Sequence, residues 1–323
     1  MKLFRTLKIA SKVPQRSLFT KSYFRKEKTL EDPQEYIQKI HEQYAKSGID
    51  GISSKAVFDL LGHCHGQSDK KLLSDITQNL LQDPLRSKFL HPQMVNKIIE
   101  HEDDLEKAQK IFELSIKSGI EVQIRGLHYI ASQLYFAEKY SEAIQFLDAY
   151  EREDSPKNTH RKNLILMASF YKIGTDEAFH QAFQLFNESQ EIISELTTAI
   201  FANFAIEKEK FSIAIDTLKE VKNHNSIPHI INSLILAYVK IGDLESAMDV
   251  LHQMMKKSYG EKRSKSIYIH SQVMDELSHA VEKSEETMLK TLFSRICNQL
   301  DDFAYINSET GSLIEALLRP IKS

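Results

Sequence analysis

A short pattern that recurs at a nearly constant spacing constrains this chain more than any other feature. An alanine is followed three and four positions later by mostly large apolar residues, beginning at Ala108, Ala143, Ala182, Ala214 and Ala247. The steps between these alanines are 35, 39, 32 and 33 residues. A small residue lets two helices approach closely, and the larger residues one turn later cover the neighbouring unit. Such a period is typical of stacked helical hairpins, because no single hairpin can bury its apolar face alone.

The rest of the body also predicts helices. From Gln34 onward, apolar residues recur at intervals of three and four, without long stretches of strict alternation. The 323 residues include only 10 Gly and 7 Pro, too few for the many turns of an all-β chain. The sequence therefore predicts an all-α fold, a right-handed α-solenoid of about five to seven helical hairpins. An ordinary helical bundle with chance alanine spacing is the alternative.

Positive charge is concentrated at the N-terminus. Residues 1–26 contain eight Lys or Arg and no Asp or Glu, which leaves 34 basic and 45 acidic residues, a net charge of −11, in residues 27–323. Basic and apolar residues alternate there with Ser and Thr, which is typical of a mitochondrial transit peptide. We expect residues 1–26 to be a cleaved transit peptide and the protein to lie in the mitochondrial matrix. A disordered basic tail, or an arm that binds nucleic acid, is the alternative.

Prolines help to divide the remainder. Pro92, Pro156 and Pro228 occupy predicted first helical positions, where a missing N–H costs little. The predicted organisation after the transit peptide has three parts: an N-terminal helical region with a degenerate repeat (27–91), the recognisable repeats (92–263) and a C-terminal helical cap (264–323).

The sequence contains few signs of catalysis. The phosphate loop, the dinucleotide fingerprint and the zinc-protease motif are absent. No apolar run approaches the length needed to span a bilayer, about 18–20 residues. The densest group of His and Cys is His63-Cys64-His65, but a zinc site needs about four ligands, so we interpret it as a helical segment with a buried Cys64. We expect no enzymatic activity, no metal and no cofactor.

The second helix of the recurring unit indicates the type of repeat. A tetratricopeptide unit places a small residue seven positions after the alanine, but the residues found there are mostly not small: Ser115, Tyr150, Ser189, Val221 and Met254. Residues 106–120 and 247–254 instead resemble the second helix of a pentatricopeptide repeat. Residues 231–235 and 241–243 resemble the first helix of that repeat and its turn.

Three short motifs extend this resemblance to one family: Ser22–Arg25, Leu60–Cys64 and Asn225–Asn232. On these motifs the chain resembles, over most of residues 20–280, the pentatricopeptide repeat domain-containing protein 2 family of animal mitochondria. The resemblance implies a matrix protein that acts in mitochondrial RNA maturation and so supports the respiratory chain.

The resemblance also nominates residues that contact RNA. Arrays of this type bind about one base per repeat with two or three side chains, and the family prefers a polar residue near the start of the first helix. Counting 15 residues back from the alanines gives Asn232, Ala199, His128 and Gln93, with Asn163 or Leu164 in the repeat that carries an insertion. We expect Asn232, His128 and Gln93 to contact RNA. Because the set is only partly polar, binding by shape or backbone is favoured over a base code.

Two clusters of basic residues are candidates for phosphate contacts. The first combines positive charge with a tyrosine on which a base can stack: Lys256, Lys257, Tyr259, Lys262, Arg263 and Lys265. The second, Arg161 and Lys162 beside Lys157 and His160, lies at a predicted helix start. For both clusters a solvated loop between helices is the alternative.

These observations favour a non-enzymatic RNA-binding factor for mitochondrial RNA processing, with mitochondrial RNA as its ligand and an RNA-processing nuclease or the mitoribosome as protein partners. The acidic body favours an alternative, a protein-interaction scaffold of the matrix that associates with the mitoribosome or acts in assembly. A cytosolic peptide-binding solenoid would require the N-terminus to be a mere tail.

Overall fold

The computed structural model describes residues 33–64, 66–150, 156–189, 193–260, 268–302, 306–307, 313 and 318. The predicted transit peptide lies outside these residues. The chain forms two compact units, Met1–Leu90 and His91–Ser323. No helix in the described ranges has the length and apolar character needed to cross a bilayer.

The described part of the first unit consists of three helices and two short 3-10 turns. These are α1 (Pro33–Ser47), a turn at Gly48–Gly51, α2 (Ser54–His63), α3 (Gln67–Gln82) and a turn at Ser87–Phe89. Ser53 caps the start of helix α2, and its side chain accepts a hydrogen bond from the Ala56 N–H. The core contains Ile40, Val57, Leu60 and Ile76. This unit is therefore a small helical body with its own apolar core.

The second unit contains twelve described helices that follow one another as six hairpins. The first helices of the hairpins are α4 (Pro92–His101), α6 (Ile124–Phe136), α8 (Pro156–Ile173), α10 (Glu195–Glu207), α12 (Pro228–Ile241) and α14 (Ser271–Lys283). Their second helices are α5 (Leu105–Lys117), α7 (Tyr140–Ala149), α9 (Asp176–Glu188), α11 (Phe211–Glu220), α13 (Leu244–Gly260) and α15 (Thr287–Asp302). A 3-10 turn, His224–Ser226, precedes α12.

Local chemistry sets where these helices begin and end. The side chains of Asp104, Thr175 and Ser194 accept hydrogen bonds from backbone N–H groups in the first turns of α5, α9 and α10. The turns inside four hairpins contain a residue with left-handed backbone, at Glu138, Gly174, Glu209 and Gly242. The helices are therefore short and defined by their ends, as a hairpin array requires.

The recurring alanines occupy equivalent places in the array. Ala108, Ala143, Ala182, Ala214 and Ala247 lie in the second helices of the first five hairpins, and each is at most 1 % exposed. Each first helix contacts the first helix of the next hairpin, and each second helix also contacts that next first helix. This confirms the predicted all-α solenoid for the second unit.

One small departure from the helical pattern follows α13. Two-residue strands, β1 (Ile269–His270) and β2 (Ile306–Asn307), pair in parallel, with Ile269 opposite Ile306. The pairing returns the chain after α15 to the start of α14. We did not expect this element, because two residues are too short for a pattern of alternation to be seen in the sequence.

Candidate nucleic-acid interface

The first helices of the first five hairpins carry mostly polar residues at one equivalent position. The fifth residue of these helices is Asn96, His128, His160, Ala199 or Asn232, in α4, α6, α8, α10 and α12 respectively. Three of these helices begin with proline, so the spacing Pro-x-x-x-polar marks the position in the sequence. Counting back from the alanines therefore found Asn232, His128 and Ala199 and missed Asn96 and His160.

Asn232 is held within the protein. Its side chain is only 4 % exposed. Its amide nitrogen donates to the Pro228 carbonyl at 2.7 Å and to the Tyr268 carbonyl at 3.0 Å, and its amide oxygen accepts from the His270 N–H at 2.7 Å. Both amide hydrogens and the oxygen are thus engaged, and in this conformation the side chain joins α12 to the start of α14.

Asn96 has the same local geometry in the first hairpin. Its side-chain nitrogen donates to the Pro92 carbonyl at 2.7 Å, four residues earlier, as Asn232 does to Pro228. Its side-chain oxygen is buried and has no hydrogen-bond partner among the described residues. It faces Gly126 of α6, where an added Cβ would lie 2.7 Å from this oxygen. The two asparagines are therefore equivalent in position but differ in what their oxygens contact.

The structure brings His128 close to two other predicted residues, Arg161 and Lys162. The imidazole is 2 % exposed. Burial, and then the positive charges of Arg161 and Lys162, together lower the pKa of His128 from 6.5 to about 4. His128 is therefore neutral at physiological pH, and its Nε2 is buried without a hydrogen-bond partner among the described residues. Arg161 is exposed and Lys162 is half-buried at the neighbouring position on α8.

Further polar atoms on α8 lie beside this group. Nδ1 of His160 and Nδ2 of Asn163 are buried atoms without a hydrogen-bond partner among the described residues. On α6, Arg125 forms an ion pair with Glu100 at 2.6 Å. We call Arg161 and Lys162, together with His128 and His160, the α6–α8 basic cluster. It places one exposed and one half-buried positive charge at the sixth and seventh residues of α8, in the second turn of the helix.

The remaining predicted contacts lie elsewhere. Gln93 is exposed in the first turn of α4. Lys256, Lys257 and Tyr259 belong to the last turns of α13. Lys262, Arg263 and Lys265 fall outside the described residues. The assignment of these residues to RNA stays a prediction.

The predicted histidine–cysteine group has a structural place at the end of α2. Nδ1 of His63 lies 2.9 Å from the Asp59 carbonyl, a contact within one helical turn. Cys64 is half-buried, not fully buried as expected, because it caps the helix instead of lying inside it. His65 lies outside the described residues. Within the described ranges, no group of three or more His, Cys, Asp or Glu side chains is placed to hold a metal ion.

Comparison with curated proteins gives no match for this chain. Residues 230–259 match the family model described as PPR repeat. The matched segment contains most of α12 and continues through α13 to Tyr259. It thus covers one hairpin of the array, including Asn232 and the recurring Ala247. The fifth helical hairpin of this chain is therefore a pentatricopeptide repeat.

Proposed function

We propose that this protein is a non-enzymatic RNA-binding factor that acts in the mitochondrial matrix, in the processing or maturation of mitochondrial transcripts. The observation that carries the proposal is the pentatricopeptide repeat at residues 230–259, within an array of like hairpins. Repeats of this class bind single-stranded RNA through side chains of successive hairpins. On this proposal the protein supports the respiratory chain through its transcripts.

The α6–α8 basic cluster is the described surface best suited to RNA. Affinity for nucleic acid rests largely on Lys and Arg side chains that neutralise phosphates. Arg161 is exposed, and its charge and that of Lys162 act on His128 of the neighbouring first helix. A phosphate at this place would contact two cations in the second turn of α8.

The fifth residues of the first helices favour binding of the RNA backbone over a readable base code. Asn232 uses its whole amide group inside the protein, and Ala199 offers no polar atom. His128 is neutral and buried. We therefore expect a binding preference set by RNA shape and length more than by sequence.

The mitochondrial part of the proposal rests on the N-terminal residues 1–26, with eight basic and no acidic residues. The resemblance to the mitochondrial family points to the same compartment. A processing nuclease or the mitoribosome would be the protein partner, since a binding factor without its own catalytic site acts by protecting, remodelling or recruiting. Imaging of the full chain with a C-terminal tag tests the location, and a cytosolic signal would contradict it.

Charge reversal tests the RNA-binding proposal. The double variant Arg161→Glu, Lys162→Glu should weaken binding of the full chain to mitochondrial RNA and reduce the salt dependence of the binding constant. The matched control is Lys107→Glu, Lys110→Glu on α5, which makes the same change in net charge on a second helix. Fluorescence anisotropy at several salt concentrations measures both. An equal loss of RNA affinity in the two variants, or no loss of affinity in either, would contradict a role for the α6–α8 basic cluster in RNA binding.

A second candidate is a matrix scaffold that binds proteins. It is favoured by the net charge of −11 in residues 27–323 and by the internal engagement of Asn232. Sedimentation of mitochondrial extracts before and after RNase treatment separates the candidates. An RNA-binding factor should leave large complexes when RNA is digested, whereas a scaffold should remain with its protein partner.

A further inference from the structure

A groove crosses the first helices of the third to sixth hairpins, away from the N-terminal half of α8. It has a volume of about 420 Å³, within the range of clefts that hold ligands. Its apolar lining includes Ile206 of α10, Leu236 of α12 and Leu313 from the C-terminal segment. These three side chains are largely buried, so the groove has a formed apolar floor.

The described charged residues that line the groove are mostly acidic. Three carboxylates come from Glu207 at the end of α10, Glu209 in the turn that follows and Glu276 of α14, and Lys240 of α12 contributes one ammonium group. Lys240 pairs with Glu276 at 2.9 Å. Next to the groove, Asp275 and His279 line a second hollow on α14. We call the lining formed by Ile206, Leu236, Leu313 and these three glutamates the acidic groove.

The carboxylate of Glu207 is oriented by the protein. The Tyr171 hydroxyl on α8 donates a hydrogen bond to it. Burial, and then this hydrogen bond and the negative charge of Glu207, raise the pKa of Tyr171. The phenol therefore stays a donor, and its hydrogen bond fixes the position of the Glu207 side chain.

Leu313 shows what kind of group packs against α14 in the lining of the acidic groove. Leu313 places its side chain, 4 % exposed, against the groove. Its backbone N–H donates to Oε1 of Gln272 on α14 at 2.7 Å. A leucine side chain and a backbone amide are both features of a polypeptide. An RNA strand would bring phosphates to carboxylates of the same charge, which is unfavourable.

We propose that the acidic groove binds a basic, leucine-containing segment of a partner polypeptide. The leucines would extend the apolar contacts that Leu313 begins, and Lys or Arg side chains would meet Glu207 and Glu209. Because Lys240 lies in the pentatricopeptide repeat, this surface occupies first-helix positions of the repeat itself. The inference does not depend on RNA binding at the α6–α8 basic cluster.

Peptide binding tests this inference on the full chain. The probe is a short fluorescent peptide in which leucines are separated by lysines and serines, and the first comparison peptide has glutamate in place of lysine. The variant Glu207→Gln, Glu209→Gln should lower affinity for the basic peptide about tenfold, since each exposed ion pair contributes a factor of a few. The matched control is Glu106→Gln, Glu113→Gln on α5, which changes net charge equally.

A second variant is expected to raise the affinity for the basic peptide, which a misfolded protein could not do. Lys240→Gln removes the one cation among the described residues that line the groove and releases Glu276, so affinity for the basic peptide should rise about threefold. A misfolded variant would lose affinity instead. The inference is overturned if neither variant changes affinity, or if a peptide with serine in place of leucine binds equally well. RNA binding that weakens in Lys240→Gln would assign the groove to RNA and also overturn it.

Discussion

The side-chain oxygen of Asn232 accepts a hydrogen bond from the backbone N–H of His270 at 2.7 Å. Through this bond and the one to the Tyr268 carbonyl, the pentatricopeptide repeat holds the chain that leads into the last hairpin. In the first hairpin the equivalent oxygen, on Asn96, has no partner among the described residues. One residue type at one repeat position therefore serves as a structural link in one hairpin and offers a buried acceptor in another.

This contrast predicts different costs for the same substitution. Asn232→Ala removes three side-chain hydrogen bonds, those to the His270 N–H and to the Tyr268 and Pro228 carbonyls, and should lower the free energy of unfolding by about 2–4 kcal/mol. Asn96→Ala removes one hydrogen bond and an acceptor that is already unsatisfied, and should cost about 1 kcal/mol. Urea unfolding followed by circular dichroism measures both. Equal costs would contradict the structural role of the Asn232 link.

Two glycine-to-alanine substitutions should change stability in opposite directions. At Gly126 an added Cβ would lie 2.7 Å from the oxygen of Asn96 and 3.2 Å from Cγ1 of Val122. Since Asn96 is fixed to Pro92, overpacking outweighs the gain in helix propensity, and Gly126→Ala should lower the free energy of unfolding by about 1–2 kcal/mol.

Gly62 in α2 provides the comparison. No heavy atom lies within 4 Å of an added Cβ there, so Gly62→Ala should raise the free energy of unfolding by about 0.4–1 kcal/mol. The same urea titration measures this change. A stabilised Gly126→Ala variant would show that α4 and α6 do not pack as described.

The recurring alanines should not tolerate larger side chains. Ala143 is fully buried, so Ala143→Leu overpacks the second hairpin and should cost about 1–3 kcal/mol. Ala149 is exposed at the end of the same helix, and Ala149→Leu should change the free energy of unfolding by no more than about 0.5 kcal/mol. Thermal unfolding of the two variants makes the comparison. Similar melting temperatures would speak against the alanine as a packing contact.

His128 should make stability depend on pH. Its pKa is lowered from 6.5 to about 4, so the unfolded chain binds more protons than the folded chain between these values. The contribution of neutral His128 to the free energy of unfolding is complete above about pH 6.5 and is lost as the pH falls towards about 4. His128→Gln should flatten the pH dependence of the urea midpoint over this range. An unchanged slope would show that burial of His128 does not oppose its protonation.

The sequence predicted the array because its signal is repeated. Each recurring alanine is buried in a second helix, and the spacing follows from that packing. The position at which each first helix begins, relative to the recurring alanine, was less predictable. The distance from helix start to alanine is 19 residues in the second, fourth and fifth hairpins, but 16 from Pro92 to Ala108 and 26 from Pro156 to Ala182.

Helix lengths are set by capping and loop residues, which the repeat period does not fix. A constant count therefore selected Gln93 where the fifth residue is Asn96. Two features of the site arise between successive hairpins. One is the approach of Arg161 and Lys162 to His128, and the other is the hydrogen bond from the His270 N–H to Asn232. Contacts of this kind depend on how successive units stack, and a single sequence does not reveal them.

Ultraviolet crosslinking of the tagged full chain in cells, followed by purification and sequencing of the attached RNA, tests the central proposal most directly. The account predicts enrichment of one or a few mitochondrial transcripts, with lower recovery from the Arg161→Glu, Lys162→Glu variant than from the Lys107→Glu, Lys110→Glu control. Recovery of RNA at background, from a protein that is present in the matrix, would contradict RNA binding as its function.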